Sequence, residues 1–148
     1  MAPGLFDYPG TPAADADVVL RDGTDATWTL LREHADQRRY RPGETVIAAD
    51  DAERALWIVV DGTVHVISGR HLTDELGPGA VLGEGQFLAG VPATATVRAA
   101  TGATLLRLSL DGFEVLAAKA PVVARQLLFE LARVLALRLH ALRRIVEH

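Results

Sequence analysis

The side chains of this sequence that are able to do chemistry are carboxylates, hydroxyls and histidines, because cysteine is absent. Its absence excludes thiolate catalysis and cysteine-ligated zinc. The five histidines are scattered, and the nearest two, His65 and His71, lie six residues apart without the spacing of metal ligands. The adjacent acidic pairs Asp50-Asp51 and Asp74-Glu75 are typical of solvated turns. We therefore expect no catalytic residue, no metal and no cofactor, and we predict that the chain is not an enzyme.

One carboxylate stands out by its neighbours. The stretch Leu82-Gly83-Glu84-Gly85 places Glu84 between two glycines. These glycines do not continue as the dinucleotide fingerprint Gly-x-Gly-x-x-Gly, because position 88 is leucine. No P-loop and no Gly-x-Ser-x-Gly nucleophile elbow occurs in the sequence. The glycine-rich stretch is therefore not one of the common nucleotide-binding or hydrolase motifs.

Charge and hydropathy argue against two classes of partner. The net charge is −4 and the pI is about 5.7, whereas DNA-binding modules usually carry a basic face and a high pI. The longest apolar region, Leu127 to Leu142, is interrupted by charged residues and falls short of the ~20 apolar residues of a membrane span. The N-terminus lacks the basic and apolar segments of a secretory signal. We predict a cytoplasmic protein that contacts neither nucleic acid nor membrane.

The elements that position these residues follow from the periodicity. We expect one domain, residues 25–148, behind an irregular acidic N-terminal extension, residues 1–24. A short helix is predicted from Asp25 to Ala35. Short strands separated by glycine and proline follow over residues 40–109, and Thr63–Ser68 alternates as a half-buried strand does. The pattern predicts a mainly β fold with flanking helices, a double-stranded β-helix or jelly-roll-like β-roll of about eight strands.

Two helices are predicted after the strands, over residues 110–119 and from Pro121 towards His148. In the second helix, polar residues form one narrow stripe and most of the remaining surface is apolar. A helix with so thin a polar face needs cover on two sides, which predicts a homodimer through the helix 121–147. Arg138 lies on the apolar, inward side of this helix. Its guanidinium is expected either to reach out to solvent or to face a ligand or a dimer-mate carboxylate.

Several short motifs occur together in the order of a known family. They are Arg41-Pro42-Gly43-Glu44, Leu56-Trp57-Ile58-Val59 with Asp61-Gly62, Leu76-Gly77-Pro78-Gly79, Leu82-Gly83-Glu84 and Ala95-Thr96-Val97. Together with the helix pair they resemble the cyclic nucleotide-binding domain of the catabolite-activator (cAMP receptor protein) superfamily, over roughly residues 26–146. Transcription factors of that superfamily carry a helix-turn-helix after the long helix. This sequence ends at His148, so we expect a stand-alone domain that does not read DNA.

The resemblance implies roles for the glycine-rich stretch. In that family it belongs to the phosphate-binding cassette, in which a short helix presents its amides to the cyclic phosphate. Glu84 would accept a hydrogen bond from the ribose 2′-hydroxyl, and the backbone of Leu82, Gly83 and Gly85 would approach the sugar. Thr94 and Ala95 match the Ser/Thr-Ala pair that meets the phosphate.

Ala93 departs from the family pattern, because it occupies the position of the arginine that neutralises the phosphate. A charge-assisted hydrogen bond contributes roughly 1.5–3 kcal/mol, so its loss weakens binding about ten- to a hundredfold. Arg138 is a candidate replacement, since it falls at or near the helix position that resembles the base-contacting one. Arg98 fits a solvent-facing strand position better.

Together these observations predict a non-enzymatic regulatory or sensor module. Its ligand would be a cyclic nucleotide, cAMP or cGMP, or a related phosphorylated molecule. The alternative is a ligand-free dimeric scaffold, whose long helix and acidic extension recruit a protein partner.

Overall fold

The structure, a computed structural model, describes residues 25–147. The N-terminal extension predicted over residues 1–24 lies outside the described residues. The elements in chain order are α1 (Asp25–His34), β1 (Asp36–Tyr40), β2 (Thr45–Ile47), β3 (Ala55–Asp61), β4 (Val64–Ser68), β5 (His71–Leu76), β6 (Val81–Leu82), α2 (Glu84–Ala89), β7 (Thr96–Ala99), β8 (Ala103–Ser109), α3 (Leu110–Lys119) and α4 (Pro121–Glu147). The predicted fold, a β-roll with an N-terminal helix and two C-terminal helices, is confirmed.

The strands form two four-stranded antiparallel sheets that face each other. One sheet has the order β1-β8-β3-β6 and the other has the order β2-β7-β4-β5. The long strands β3 and β8 form the centre of the first sheet, with Leu56 opposite Leu108 and Ile58 opposite Leu106. Because successive side chains of a strand point to opposite faces, this sheet separates two hydrophobic clusters.

The inner cluster fills the roll between the two sheets. Trp57, Val59 and Leu105 of the first sheet meet Val64 and Val66 of the second sheet there. The predicted alternation of the β4 strand is confirmed, since Val64 and Val66 are buried and His65 between them is half-buried. The cavity described below is an unfilled part of this interior.

The outer cluster joins the first sheet to the helices. Leu56 and Ile58 pack there with Leu116 of α3 and with Leu127 and Leu131 of α4. The α3 helix begins directly after β8, where the Ser109 hydroxyl accepts a hydrogen bond from the Gly112 amide at 3.0 Å and caps the helix. The predicted helix pair is therefore confirmed, and the sheet fixes its position.

The long helix α4 has one covered side. Ala124, Leu127, Leu131, Val134, Arg138 and Ala141 are buried on it. Their spacing of three and four residues is that of a single helix face. In the part of the chain that the structure describes, no helix is long and apolar enough to cross a membrane.

Three strands differ from the sequence-based prediction: β1, β5 and the two-residue β6 (Val81–Leu82), which pairs with β3. The roll begins at Asp36 and not near residue 40, because β1 pairs along its whole length with β8. The strand β5 (His71–Leu76), which the sequence pattern did not indicate, pairs with β4. Both β1 and β5 are edge strands. The β1 side chains are mostly exposed, and β5 buries only Asp74 and Leu76, so neither strand shows the regular apolar alternation that marks a half-buried strand.

Candidate functional site

A cavity of about 160 Å³ opens between the roll interior and the short helix α2. Its wall is formed by Ile47, Val66, Leu82, Gly83, Glu84, Gly85, Gln86, Val91, Pro92, Ala93, Thr94, Ala95 and Val97. Seven of the eight positions predicted as binding residues are in this wall: Leu82, Gly83, Glu84, Gly85, Ala93, Thr94 and Ala95. The predicted residues therefore lie together around one cavity, and the eighth, Arg138, lies outside its wall.

Gly83 makes the turn from β6 into α2. Its φ of +77° is in the left-handed region, which glycine adopts without strain. A Cβ at this position would lie 3.0 Å from the Ala55 carbonyl oxygen and 3.1 Å from the Trp57 ring. Gly83 is needed both for its conformation and for the close packing of the turn against β3.

The helix α2 is fastened to the loop between β2 and β3, residues 48–54. The buried Gln86 side chain donates to the Asp51 carboxylate at 3.3 Å and to the Glu53 carbonyl at 3.0 Å. At the other end of α2, the Arg54 guanidinium donates to the carbonyl oxygens of Phe87 at 2.9 Å and Leu88 at 3.2 Å. These bonds satisfy carbonyls that a helix C-terminus leaves without partners.

The same loop holds the opposite rim of the cavity. The Asp50 amide donates to the Ala93 carbonyl at 2.7 Å, and the Ala93 amide donates to the Asp51 carbonyl at 2.8 Å. Both backbone groups of Ala93 are therefore engaged within the protein. The neighbouring Thr94 side chain is exposed at the cavity mouth.

An ion pair links the cavity wall to the long helix. The Arg138 guanidinium donates to the Glu84 carboxylate at 2.7 Å and to the Val81 carbonyl at 3.3 Å. Arg138 is only 4% exposed. The expectation that its guanidinium reaches solvent was wrong, because Glu84 and Val81 supply acceptors inside the protein. Its carboxylate partner also comes from the same chain and not from a second copy.

The charge of the wall is unusual for a phosphate site. Glu84 is its one charged side chain, and Ala93 occupies the position at which the resemblance implies an arginine. Arg98, the other arginine near the motif, is exposed on β7. The wall therefore offers a phosphate no cation, and Arg138, the predicted substitute, is bonded to Glu84.

Sequence reasoning missed the loop that supports the cavity. Asp51, Arg54 and Gln86 position α2 and Ala93, but they are ordinary polar residues with no motif around them. Their partners lie more than 30 residues away, at separations of 33 to 35. Among residues 25–147, no group of three histidine or acidic side chains lies close enough together to hold a metal ion.

A β-roll with a polar-edged cavity under a short helix, and a long helix bonded to that cavity, is the architecture of the cyclic nucleotide-binding domains to which this chain is similar. The cyclic nucleotide-binding domain family model matches residues 37–120, which is more than half of the chain. The chain belongs to this family.

Three known proteins are similar to this chain in sequence or in structure. The HTH-type transcriptional regulator Cmr of Mycobacterium tuberculosis (strain CDC 1551 / Oshkosh) is 35% identical over 109 residues, which cover 71% of this chain and 45% of the regulator. The catabolite activator protein of Thermus thermophilus superposes with a TM-score of 0.74 and 25% identity, over 86% of this chain and 61% of that chain. A cyclic nucleotide-binding domain from Methylobacillus flagellatus shares the fold with a TM-score of 0.75 and 21% identity, over 88% of this chain and 77% of that domain. The chain thus spans less than half of the curated regulator.

Proposed function

We propose that this domain is a non-enzymatic cytoplasmic regulatory module that binds a small molecule in the β-roll cavity and transmits its presence to α4. The observation that carries the proposal is the contact between the cavity wall and the long helix, Glu84 to Arg138 at 2.7 Å. A carboxylate at the wall is positioned to accept a ligand hydroxyl. The same carboxylate fixes α4, so one group takes part in both binding and transmission.

The proposed ligand is the one that the family description implies, a cyclic nucleotide or a related phosphorylated molecule. Two features of the wall support this choice. Glu84 is available at the edge of the cavity for a sugar hydroxyl, and Thr94 offers a hydroxyl at the mouth. The regulators similar to this chain are consistent with a sensing role.

Transmission follows from competition for Glu84. A ligand hydroxyl that donates to this carboxylate competes with Arg138, whose guanidinium is nearly buried. A ligand then favours whichever placement of α4 satisfies the carboxylate, the hydroxyl and the guanidinium together. The effect of the ligand is therefore a shift between two positions of the long helix.

We further propose that α4 pairs with α4 of a second copy. The side next to its buried face carries the exposed Leu128, Ala132 and Leu139 and the half-buried Leu135 and Leu142. These positions repeat at intervals of four and three residues, the spacing of a coiled-coil seam. Leu128, Leu139 and the flanking Phe129 are exposed, Phe129 to 72%. Burying this seam against an identical helix removes that apolar surface from water.

The alternative is a ligand-free dimeric scaffold that binds a protein partner. The observation in its favour is Ala93, because a wall without a cation has lost the group that gives a phosphate ligand most of its charge-assisted binding. In this alternative the exposed side of α4 would be the functional surface and the cavity would remain empty.

Isothermal titration with cAMP and with cGMP distinguishes the two, beside a Glu84→Ala variant. The sensor proposal predicts measurable binding that the variant weakens at least about tenfold, as expected for losing one hydrogen bond to a charged group. A Thr101→Ala variant, changed on a loop outside the cavity wall, is the control and should bind as the wild type does. No heat of binding and no thermal shift with any nucleotide or nucleoside at millimolar concentration would favour the scaffold.

A further inference from the structure

The cavity wall has no positively charged side chain that could bind an anion. Among the residues that line the wall there is no lysine, arginine or histidine, and the one charged side chain is the carboxylate of Glu84. An anionic ligand in this cavity would therefore contact no cation among the wall residues, because the guanidinium that neutralises Glu84 belongs to Arg138, which is not part of the wall. A phosphate there would lose its water shell with no cation in the wall to compensate, since the amides at the start of α2 and the Thr94 hydroxyl are uncharged donors.

The two arginines nearest to α2 are bonded to protein acceptors. Arg138 bonds to Glu84 and to the Val81 carbonyl, and its side chain is almost fully buried. Arg54 bonds to the Phe87 and Leu88 carbonyls at the C-terminus of α2. Turning Arg54 towards a phosphate would leave the α2 carbonyls without their donor. Turning Arg138 would leave the buried Val81 carbonyl without its donor and Glu84 dependent on the ligand hydroxyl alone, and either loss costs about as much as the phosphate contact gains.

The backbone amide and carbonyl of Ala93 are also unavailable to a ligand. Its amide and its carbonyl are both bonded to the Asp50-Asp51 segment. The Asp51 carboxylate is in turn one hydrogen bond away from the wall, through Gln86 at 3.3 Å. The segment bonded to Ala93 is thus acidic and contributes no cation.

The rest of the wall suits an uncharged molecule. Most of its side chains are apolar: Ile47, Val66, Leu82, Val91, Pro92, Ala93, Ala95 and Val97. They offer contact to a flat or aliphatic body. Glu84 at one end accepts a hydrogen bond from a hydroxyl, and Thr94 at the mouth is able to donate and accept one.

From these observations we infer that the cavity recognises an uncharged, hydroxyl-bearing ligand of the nucleoside class, and that a phosphate on the ligand contributes no affinity. The inference rests on the proposed ligand-binding function and specifies which part of the ligand the cavity binds. It departs from the phosphorylated ligand expected from the sequence, because the structure shows where the nearby cations are bonded.

The test compares matched pairs on the wild-type chain: adenosine with cAMP, and guanosine with cGMP. We expect the nucleoside of at least one pair to bind as tightly as its cyclic nucleotide or more tightly. We also expect the affinities to change little with ionic strength, because no ion pair forms. A cyclic nucleotide that binds at least tenfold more tightly than its nucleoside would overturn the inference and leave the proposed function intact. No binding by any of the four would overturn the proposed function, and the inference with it.

An Ala93→Arg variant supplies the missing cation. It tests whether a positive charge at this position makes the phosphate contribute to binding. We expect cAMP binding to tighten about ten- to a hundredfold, while adenosine binding stays within about threefold of the wild type. Ala93→Gln is the matched control, since it adds a polar side chain of similar length without charge and should leave both ligands unchanged. If Ala93→Arg tightens neither cyclic nucleotide while circular dichroism shows an intact fold, the assignment of this position to an absent phosphate contact is wrong.

Discussion

Glu84 and Arg138 come from positions 54 residues apart, yet they form one ion pair across the edge of the roll. Neither side chain is open to solvent, with exposed fractions of 15% and 5%. Removing two charges from water is costly, and their attraction repays that cost only when the hydrogen bonds are complete. The pair is therefore better understood as a device that specifies where α4 lies than as a source of net stability.

Replacing Arg138 with methionine leaves Glu84 as a largely buried carboxylate without its partner. We expect Arg138→Met to lower the free energy of unfolding by about 3–5 kcal/mol, the usual cost of breaking a buried pair from one side. The double variant Glu84→Gln/Arg138→Met should recover about half of this loss or more, because it removes the uncompensated charge. Urea unfolding of the wild type, of Glu84→Gln, of Arg138→Met and of the double variant gives the coupling energy. Additive single effects would show that the two side chains do not act as a pair.

Gly83 gives a second prediction at the same scale. Gly83→Ala forces a Cβ against Trp57 and adds the strain of a left-handed φ. We expect it to destabilise the chain by about 2–4 kcal/mol, about 1 kcal/mol from φ and the remainder from packing. Gly43→Ala is the control, because Gly43 has a φ of +87° but open space at its Cβ position. Thermal unfolding that shifts equally for both variants would mean that the contact with Trp57 is unimportant.

Residues of the wall were predictable when a motif surrounded them, and not otherwise. Glu84 and Thr94 were identified through their glycine and alanine neighbours. Asp51 and Gln86 were not, since the hydrogen bond between them depends on a loop folding back over 35 residues of separation. Arg138 was placed correctly on the inner side of its helix, but its acceptors belong to another element and no periodicity reveals them.

At the scale of elements, alternation and periodicity predicted the strands and helices that pack on the core. The strands β3, β4 and β8 were found because the sequence of each contains an apolar face that the fold buries. The edge strand β1, with the sequence DQRRY, carries no such face and was missed. Its position comes from backbone pairing with β8, which any sequence able to extend can supply.

The six-residue helix α2 is too short to be stable by itself, so its bonds to the 48–54 loop must hold it. Replacing Gln86 with leucine removes the buried donor to Asp51 and to the Glu53 carbonyl. We expect the variant to lose about 1–3 kcal/mol of its free energy of unfolding. Amide hydrogen exchange over residues 84–90 should become faster than in the wild type, and by more than in α3 or α4. Gln37→Leu, on an exposed strand position, should stay within about 0.5 kcal/mol of the wild type. Unchanged exchange in α2 would mean that Arg54 alone is sufficient to hold it.

At the scale of the whole molecule, the outer hydrophobic cluster joins the helices to the roll, but α4 uses only part of its apolar surface within the chain. The side with Ala124, Leu127 and Leu131 packs on the roll. The adjacent side with Leu128, Leu135 and Leu139 continues the same repeat outward. Because Arg138 joins the inner side to the cavity, a partner on the outer side would respond to changes at Glu84. The proposed dimer and the proposed sensor are therefore mechanically connected through one helix.

Leu135 lies in the middle of this outer seam, so Leu135→Asp tests the dimer. In a coiled-coil pair the substitution would place two like charges in the apolar seam, and we expect the dissociation constant to rise by about a hundredfold or more, a free-energy change of about 3 kcal/mol. Val115→Asp is the matched control, since Val115 is an exposed apolar residue on α3, away from the seam. Light scattering coupled to size exclusion should show a dimer for the wild type and the control, and a monomer for Leu135→Asp. A wild-type chain that is monomeric at tens of micromolar, or a Leu135→Asp chain that remains dimeric, would show that α4 pairs with something other than its own copy or through another face.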